Sequence, residues 1–240
     1  MMSTGFHAGM RAAAILACLL ATAIPATAQR YGLREVRDVG TGGVNLVVAV
    51  PMGEFRRHVD VAGGVDVFGA INLGRGSPVA LRLGGSYLLY GHDKHIVTQP
   101  YYPLAINTTY SIATFGVGPQ LTFGTGPLKV YGFGTFGASY ISARSSFRVD
   151  GCGCDTFDSV TDFDDWTSAL QTGGGLLISL STRHVPVALD LGARYLHNGE
   201  AWFVSPGDVV PQSTGDVFIN PVFSRADLVM LHVGVSVGIR

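Results

Sequence analysis

The sequence predicts an all-β fold: an eight-stranded antiparallel up-and-down transmembrane β-barrel, preceded by a cleavable signal peptide. Three observations predict it. Apolar and polar residues alternate with a period of two in eight segments, and the connections between these segments alternate between short and long. Outside the N-terminus, no apolar run approaches the roughly 20 residues that a membrane-spanning helix needs.

The composition of the 240-residue chain sets the class of protein. Hydrophobic residues make up 47% and charged residues only 14%, well below the roughly 25% that is typical of soluble domains. The apolar content excludes a disordered chain. The net charge of −1 gives no basic excess, so we expect no nucleic-acid partner.

The N-terminus has the pattern of a secretory signal. Arg11 provides the positive charge, residues 12–24 form the apolar stretch, and Ala26-Thr27-Ala28 is a small-residue cleavage site. A lipoprotein signal ending at Cys18 is the alternative. We therefore expect a signal peptide over residues 1–28, a short periplasmic segment over 29–43 and a barrel over 44–240.

The rest of the chain is predicted to form successive β-strands. In each segment, alternate residues form an apolar set and a polar set, and in a strand these sets lie on opposite faces. The last segment is the clearest example, since Val233 and Val235 share one face while His232 and Ser236 share the other. No helix-periodic segment with caps lies between the strands. The predicted strands are Val44–Gly53, Gly63–Leu73, Val79–Tyr90, Thr108–Phe123, Leu128–Ile141, Trp166–Leu180, Val185–Leu196 and Val229–Ile239.

The connections carry independent information about topology. Residues 74–78, 124–127 and 181–184 are short turns with Gly, Pro or Ser, whereas residues 54–62, 91–107, 142–165 and 197–224 are longer and more polar. Short turns at one end and long loops at the other are typical of outer-membrane barrels. Aromatic residues cluster near the long-loop ends, as expected at a membrane–water interface: Tyr87, Tyr90, Tyr110, Tyr140, Trp166, Tyr195 and Trp202, with Phe115, Phe123 and Tyr131 nearer the short turns.

With this strand count, loop alternation and segments such as LRLGGSYLLYG (81–91) and LHVGVSVGIR (231–240), the chain resembles the small eight-stranded outer-membrane barrels of the OmpA/OmpX-like group. The resemblance implies the outer membrane of a Gram-negative-type bacterium, with both termini in the periplasm and the barrel insertion machinery as a partner. Such barrels usually end in an aromatic residue, whereas this chain ends in Gly238-Ile239-Arg240.

The alternation assigns side chains to the two sides of the barrel wall. A charge on the lipid side costs about 2–4 kcal/mol at the midplane, so charged residues are expected in the lumen, where they must pair. We expect Asp66 and Asp190 to pair with Arg82, Arg194 and Lys129 and to plug the lumen, as the resemblance also implies; Arg82 and Lys129 reaching water at the short turns is the alternative. The expected lumenal network is Asp66, Arg82, Lys129, Asp190, Arg194 and His232, and the expected lipid-facing set is Val229, Leu231, Val233, Val235, Val237, Leu189 and Leu191.

Several motifs suggest chemistry but lack the residues that it needs. The G-x-G-x-x-G at 132–137 is followed by strand-like sequence instead of the helix of a dinucleotide site. Cys152 and Cys154 lie in an acidic loop without zinc or calcium spacing, and His92 and His95 lie in a loop. Residues 194–198 resemble the surroundings of the catalytic histidine in outer-membrane lipid A deacylases, but Gly199 stands where that family has its nucleophilic serine.

The sequence therefore predicts no catalytic residue, no metal site and no cofactor. The expected role is structural or surface-interacting, through the long extracellular loops, with outer-membrane lipid and an unidentified extracellular ligand as partners. Three alternatives stay open: a porin for small solutes, a lipid hydrolase that uses His197, and a soluble lipocalin-like barrel. The last would require the Val229–Ile239 face to point inward and the Asp66 and Arg194 face to point outward.

Overall fold

The computed structural model describes residues 39–74, 77–98, 103–149, 158–181, 185–205, 209–211, 217–219 and 221–239. The expected signal peptide and Cys152 and Cys154 lie outside these residues. Among the described residues, no helix is long and apolar enough to cross a membrane.

Eight antiparallel strands close into a barrel, which confirms the predicted eight-stranded up-and-down topology. Each strand pairs with its neighbours in the chain, and the first strand pairs with the last over the full length of both, from Gly40↔Ile239 to Pro51↔Leu228. The strands are β1 (Gly40–Pro51), β2 (Ala62–Asn72), β3 (Val79–Thr98), β4 (Pro103–Phe123), β5 (Leu128–Val149), β6 (Asp158–Ser181), β7 (Val187–Asn198) and β8 (Leu228–Ile239).

Four strands, β3 to β6, extend well beyond their predicted ends, and β1 begins at Gly40, inside the expected periplasmic segment 29–43. β3 and β4 pair out to Thr98↔Pro103, and β5 and β6 pair out to Phe147↔Asp158, so most of residues 91–107 and part of 142–165 are strand where loops were expected. The residues there are mainly polar on both faces, as in His92-Asp93-Lys94 and Arg144-Ser145-Ser146, and so show no apolar alternation. Pairing nevertheless continues, because the ladder is made by backbone groups. The result is a four-stranded upper sheet beyond the barrel.

Two long connections fold back over the same end of the barrel. The first, between β1 and β2, contains a 3-10 turn at Phe55–Arg57. The connection from β7 to β8 contains a two-stranded ribbon in which Glu200–Phe203 pairs with Val222–Arg225, and a shorter pair formed by Val209–Pro211 and Val217–Ile219. Phe55 and Phe203 are both fully buried, so each connection places an aromatic ring in the interior at this end of the barrel.

Candidate functional site

The outer wall of the barrel is apolar all the way round. Outward positions on the eight strands carry apolar residues, Gly, Ser or Thr and no charged residue, in the part between the short turns and the start of the upper sheet. We call this surface the apolar belt. Its exposed members include Val44, Leu46, Val48, Val65, Val67, Leu81, Leu83, Phe115, Val117, Leu121, Val130, Phe136, Leu170, Leu176, Leu231, Val233 and Val235.

The predicted lipid-facing residues lie on this wall. Leu231, Val233, Val235 and Val237 are 56%, 47%, 45% and 38% exposed, and Val229, Leu189 and Leu191 are partly exposed. The arrangement is the opposite of a lipocalin-like barrel, in which these side chains would fill the interior. The soluble alternative therefore does not fit the structure.

The belt has defined edges. On β4 it runs over residues 113–123, which is roughly 25 Å for a strand tilted by about 40°. Above it, Ser111 and Ser142 bond to each other through their hydroxyls at 3.0 Å, and Arg144 and Asp164 are exposed. Exposed aromatic side chains mark this upper edge: Tyr87, Trp166, Tyr195 and Trp202.

Other aromatic residues that were expected at the interface are not there. Tyr90, Tyr110 and Tyr131 are buried in the lumen, with at most 5% exposure. Phe115 was expected nearer the short turns, but its ring contacts that of Trp166 at 6.1 Å and belongs to the upper half of the belt. Sequence position along a strand gives an approximate height, whereas the side of the wall depends on the register of each strand.

A layer of buried charged and polar side chains, which we call the charged layer, lies in the lower half of the lumen, nearer the short turns. Its central contact is an ion pair between Nη1 of Arg194 and Oδ1 of Asp66 at 2.7 Å, in which both side chains are at most 3% exposed. Nδ2 of Asn45 donates to the other carboxylate oxygen of Asp66 at 3.1 Å. The layer consists of Asn45, Asp66, Arg82, Gln120, Tyr131, Asp190, Arg194 and His232.

Asp190 has partners that the sequence did not predict. The hydroxyl of Tyr131 donates to Oδ1 of Asp190 at 2.7 Å and lies 2.9 Å from Nε2 of His232. Nε2 of His232 is 3.5 Å from the same carboxylate oxygen. A buried carboxylate needs compensating partners, and here a phenol and an imidazole supply them in place of the expected arginine or lysine.

Arg82 is buried without a direct carboxylate partner among the described residues. Its guanidinium carbon lies 3.9 Å from the ring centroid of Phe68 and 4.3 Å from that of Phe133, and Nη1 donates to Oε1 of Gln120 at 2.9 Å. The flat, delocalised cation is suited to stacking between aromatic rings. The expected pairing of Arg82 with an aspartate is therefore replaced by contacts with the rings of Phe68 and Phe133 and a hydrogen bond to Gln120.

Lys129 is the predicted network residue that the structure leaves outside the charged layer. Its side chain is half-buried near the short turns and makes no ion pair with a described residue. This position agrees with the alternative in which the lysine reaches water at the barrel end.

Inward-facing glycines provide the room for this layer. A Cβ added to Gly192 would lie 2.6 Å from Cε1 of His232, and one added to Gly173 would lie 2.5 Å from Cβ of Arg194. Real Cβ contacts are longer than this, so larger residues would displace the network. Glycine at these two positions reflects close approach of a neighbouring side chain.

The upper half of the lumen contains a cluster of buried apolar side chains that the sequence did not predict, and we call it the apolar plug. Rings from the two long connections meet there, with Phe55 and Phe203 at a centroid distance of 5.0 Å, and the hydroxyl of Tyr90 donates to the carbonyl oxygen of Val204 at 3.0 Å. Consecutive apolar residues on β3, at 87–90, were the available signal, because they make both faces of a strand apolar. The plug includes Val47, Phe55, Leu88, Tyr90, Tyr110, Ile112, Ile141, Leu196, Phe203, Leu228 and Met230.

The other motifs noted in the sequence, at His197, residues 132–137 and His92, lie in strands and contact neighbouring side chains. The Nδ1 atom of His197 lies 3.1 Å from the carboxylate of Asp227, and its ring stacks on Tyr195; no serine is among these contacts. Residues 132–137 lie within β5, and His92 lies in β3 with Nδ1 3.5 Å from the hydroxyl of Thr109. Within the described residues, no group of three His, Cys, Asp or Glu side chains is close enough to hold a metal ion.

No protein-family model and no curated protein matches the chain. Solved structures similar to it include Neisserial surface protein A, with 15% identity, a TM-score of 0.42, and coverage of 85% of this chain and 100% of that one. A major outer membrane protein from Thermus thermophilus is 14% identical with a TM-score of 0.45, covering 82% and 98% of the two chains. The attachment invasion locus protein of Yersinia pestis is 11% identical with a TM-score of 0.39, covering 82% and 95%.

Proposed function

We propose that this chain is an integral outer-membrane β-barrel with an occluded lumen and a structural or surface-interacting role. The observation that carries the proposal is the uninterrupted apolar belt, which exposes large aliphatic side chains on every side of a closed barrel. A soluble protein exposes no apolar surface of this extent. In a bilayer the same surface is stable, because closure satisfies the backbone of every strand without water.

Membrane fractionation tests this placement directly. We expect the protein to stay with the outer-membrane fraction through high salt and alkaline carbonate and to leave it only in detergent. Release by salt alone would contradict the proposal.

A charge introduced into the belt sharpens this test. We expect Val233→Arg to lower the free energy of unfolding from lipid vesicles by about 2–4 kcal/mol, because the guanidinium would face hydrocarbon. The matched control is His92→Arg, at an exposed position of β3 beyond the belt, where we expect a change of less than about 0.5 kcal/mol. Similar losses in the two variants would argue against a bilayer at the height of Val233.

We also propose that the barrel does not conduct. The charged layer and the apolar plug support this, since together they occupy both halves of the lumen with buried side chains. Planar-bilayer recordings are expected to show no steady large conductance. A stable open channel would favour the alternative function, passage of small solutes.

The upper sheet supports the surface role. Its strands project past the belt on the side of the long connections, which is the extracellular side in a barrel of this topology. In a background without the native cysteines, Lys94→Cys should react with an impermeant maleimide on intact cells, and Gly126→Cys in a short turn should not. The reverse pattern would invert the proposed orientation.

We propose no catalytic role. The imidazole of His197 contacts Asp227 and Tyr195, and Gly199 stands where the outer-membrane lipid A deacylases have their nucleophilic serine. The lipid A mass spectrum is expected to be the same with wild-type protein and with His197→Ala. A change in acylation that depends on His197 would favour the hydrolase.

A further inference from the structure

The outward face of the upper sheet carries cations in a regular arrangement. The residues between the outward positions point inward, and Thr108 and Ser145 are at most 2% exposed. The outward residues therefore form one continuous surface, which we call the donor face. Its two rows of paired residues cross β3, β4 and β5 as His92–Thr109–Arg144 and Lys94–Asn107–Ser146.

Every side chain of the donor face can donate a hydrogen bond, and none is acidic. His92, Lys94 and Arg144 are exposed. Neither Lys94 nor Arg144 makes an ion pair with a described residue. The neighbouring Asp93 points to the other face of the sheet, where its carboxylate accepts from the hydroxyl of Tyr110 at 3.1 Å. The two full positive charges can therefore bind an anion from outside the barrel.

The polar groups between the cations make only long contacts with one another. Oγ1 of Thr109 lies 3.5 Å from Nδ1 of His92, and the hydroxyl of Ser146 donates to the backbone carbonyl of Asn107 at 3.4 Å. Both distances are at the upper limit for a hydrogen bond, so these side chains can turn toward a ligand at little cost. Asp164 lies on β6 in the row nearer the belt and outside the donor face.

The spacing of the cations fits phosphate groups on a sugar. Adjacent strands are about 4.8 Å apart, so the Cα atoms of His92 and Arg144 lie roughly 10 Å apart across Thr109, and Lys94 lies about 7 Å from His92 along β3. An arginine can bind a phosphate through two parallel N–H groups, and a lysine binds it as a point charge. The hydroxyl and amide groups between them match the hydroxyls of a saccharide.

The height of the donor face above the belt distinguishes between lipid headgroups. The belt ends near residue 113 of β4, and Thr109 and Asn107 lie roughly 10 and 15 Å above that point on a strand tilted by about 40°. The headgroup layer of a bilayer extends only about 5–8 Å beyond the hydrocarbon on each side. The donor face is therefore level with groups that stand above the glycerol phosphates, while the acyl chains of the same lipid would pack on the belt below.

Taken with the membrane placement proposed above, on which it rests, this leads us to propose that the donor face binds the phosphorylated sugar headgroup of a glycolipid in the surrounding leaflet. Lys94 and Arg144 bind the phosphates, and the hydroxyl and amide side chains between them bond to the sugar. Charge complementarity supports the anion. Continuity of the donor face with the belt favours a lipid over a soluble polyanion.

Diphosphorylated lipid A is the probe for this site, and the same lipid with both phosphates removed is the reference. The purified protein in detergent micelles is titrated with each lipid, and native mass spectrometry measures the fraction of protein that carries a bound lipid. We expect the diphosphorylated lipid to bind about 3–10 times more tightly than the reference, because exposed cations each contribute modestly to binding.

Removing the two charges should abolish this preference. We expect Lys94→Gln combined with Arg144→Gln to bring the ratio of the two binding constants to about one and to leave binding of the reference lipid unchanged. The matched control is Arg56→Gln combined with Arg57→Gln, which removes the same charge from exposed positions of the 3-10 turn, outside the donor face. The control should change the ratio by less than about twofold.

Three results would overturn the glycolipid site. They are equal binding of the two lipids by the parent protein, a preference that survives the substitutions at Lys94 and Arg144, and an equal loss in the Arg56 and Arg57 control. Displacement of the bound lipid by inorganic polyphosphate, together with equal binding of the two lipids, would assign the donor face to a soluble polyanion instead. A protein that does not float with phosphatidylcholine vesicles would contradict the membrane placement itself, and with it the function proposed above.

Discussion

The side chains in the two halves of the lumen are held by different interactions. In the lower half, the charged layer is held by directional contacts such as Arg194–Asp66 at 2.7 Å and Tyr131–Asp190 at 2.7 Å. In the upper half, aromatic and aliphatic side chains pack without ions, and Phe55 and Phe203 enter from outside the barrel. The same closed wall therefore surrounds both a polar core and an apolar core.

This difference follows from what each half has available. The lower half is bounded by short turns, so only strand side chains can fill it, and inward glycines such as Gly192 leave room for long polar groups. Two long connections fold into the upper half, where their apolar residues are buried away from water. Burial of these residues contributes hydrophobic free energy to folding. The apolar outer wall cannot contribute in the same way in water, because folding leaves it exposed.

Breaking the ion pair should give the largest effect. We expect Asp66→Leu to lower the free energy of unfolding by about 3–5 kcal/mol, because Arg194 is left charged and buried without its carboxylate. Adding Arg194→Met should recover most of the loss, since an apolar pair removes both charges. Denaturant unfolding in lipid vesicles measures both variants, and failure of the second substitution to recover stability would mean that the pair itself is strongly favourable.

Truncation in the plug gives a test of the apolar half. Phe203→Ala should cost about 3–5 kcal/mol, because a fully buried ring is removed from a packed core. Phe223→Ala, on the exposed face of the same ribbon, is the matched control and should cost less than half as much. If the two variants lose equal stability, the ribbon does not act as the cover of the plug.

The smallest effect is expected at the phenol of the charged layer. Tyr131→Phe should cost about 1–3 kcal/mol, because Asp190 loses a buried hydrogen bond while the ring is retained. Tyr87→Phe, on the outer wall, should change stability by less than about 0.5 kcal/mol. Equal stability of Tyr131→Phe and wild type would show that His232 alone compensates Asp190.

Strand sequences alone predicted the wall well wherever one face was apolar. In β8, the alternation of valines with His232 and Ser236 matches the observed exposure residue by residue. The predicted strands stopped short of the observed ends in β3 to β6, because neighbouring residues such as Asp93 and Lys94, or Arg144 and Ser145, extend the ladder with polar side chains on both faces. Hydrogen bonds between strand backbones do not require apolar and polar side chains to alternate, so the alternation cannot predict such extensions.

The partners within the lumen were only partly predictable. Inward placement of Asp66 and Arg194 followed from the cost of a charge in lipid. Their direct contact could not be predicted in the same way, because the two residues are 128 positions apart in the chain. The partners of Arg82 could not be predicted from the sequence, since Phe68 and Phe133 come from two other strands. Tyr131 was expected at the interface and instead completes the contacts of Asp190.

The sequence by itself determined the strand count, the antiparallel topology and the apolar character of the wall, because each depends on local periodicity and on the length of connections. Tertiary structure decided which charges meet, which aromatic rings turn inward, and how Phe55 and Phe203 pack together inside the upper end of the barrel. Those outcomes depend on the stagger between strands around a closed barrel and on the return of distant connections, which no single segment of the chain encodes.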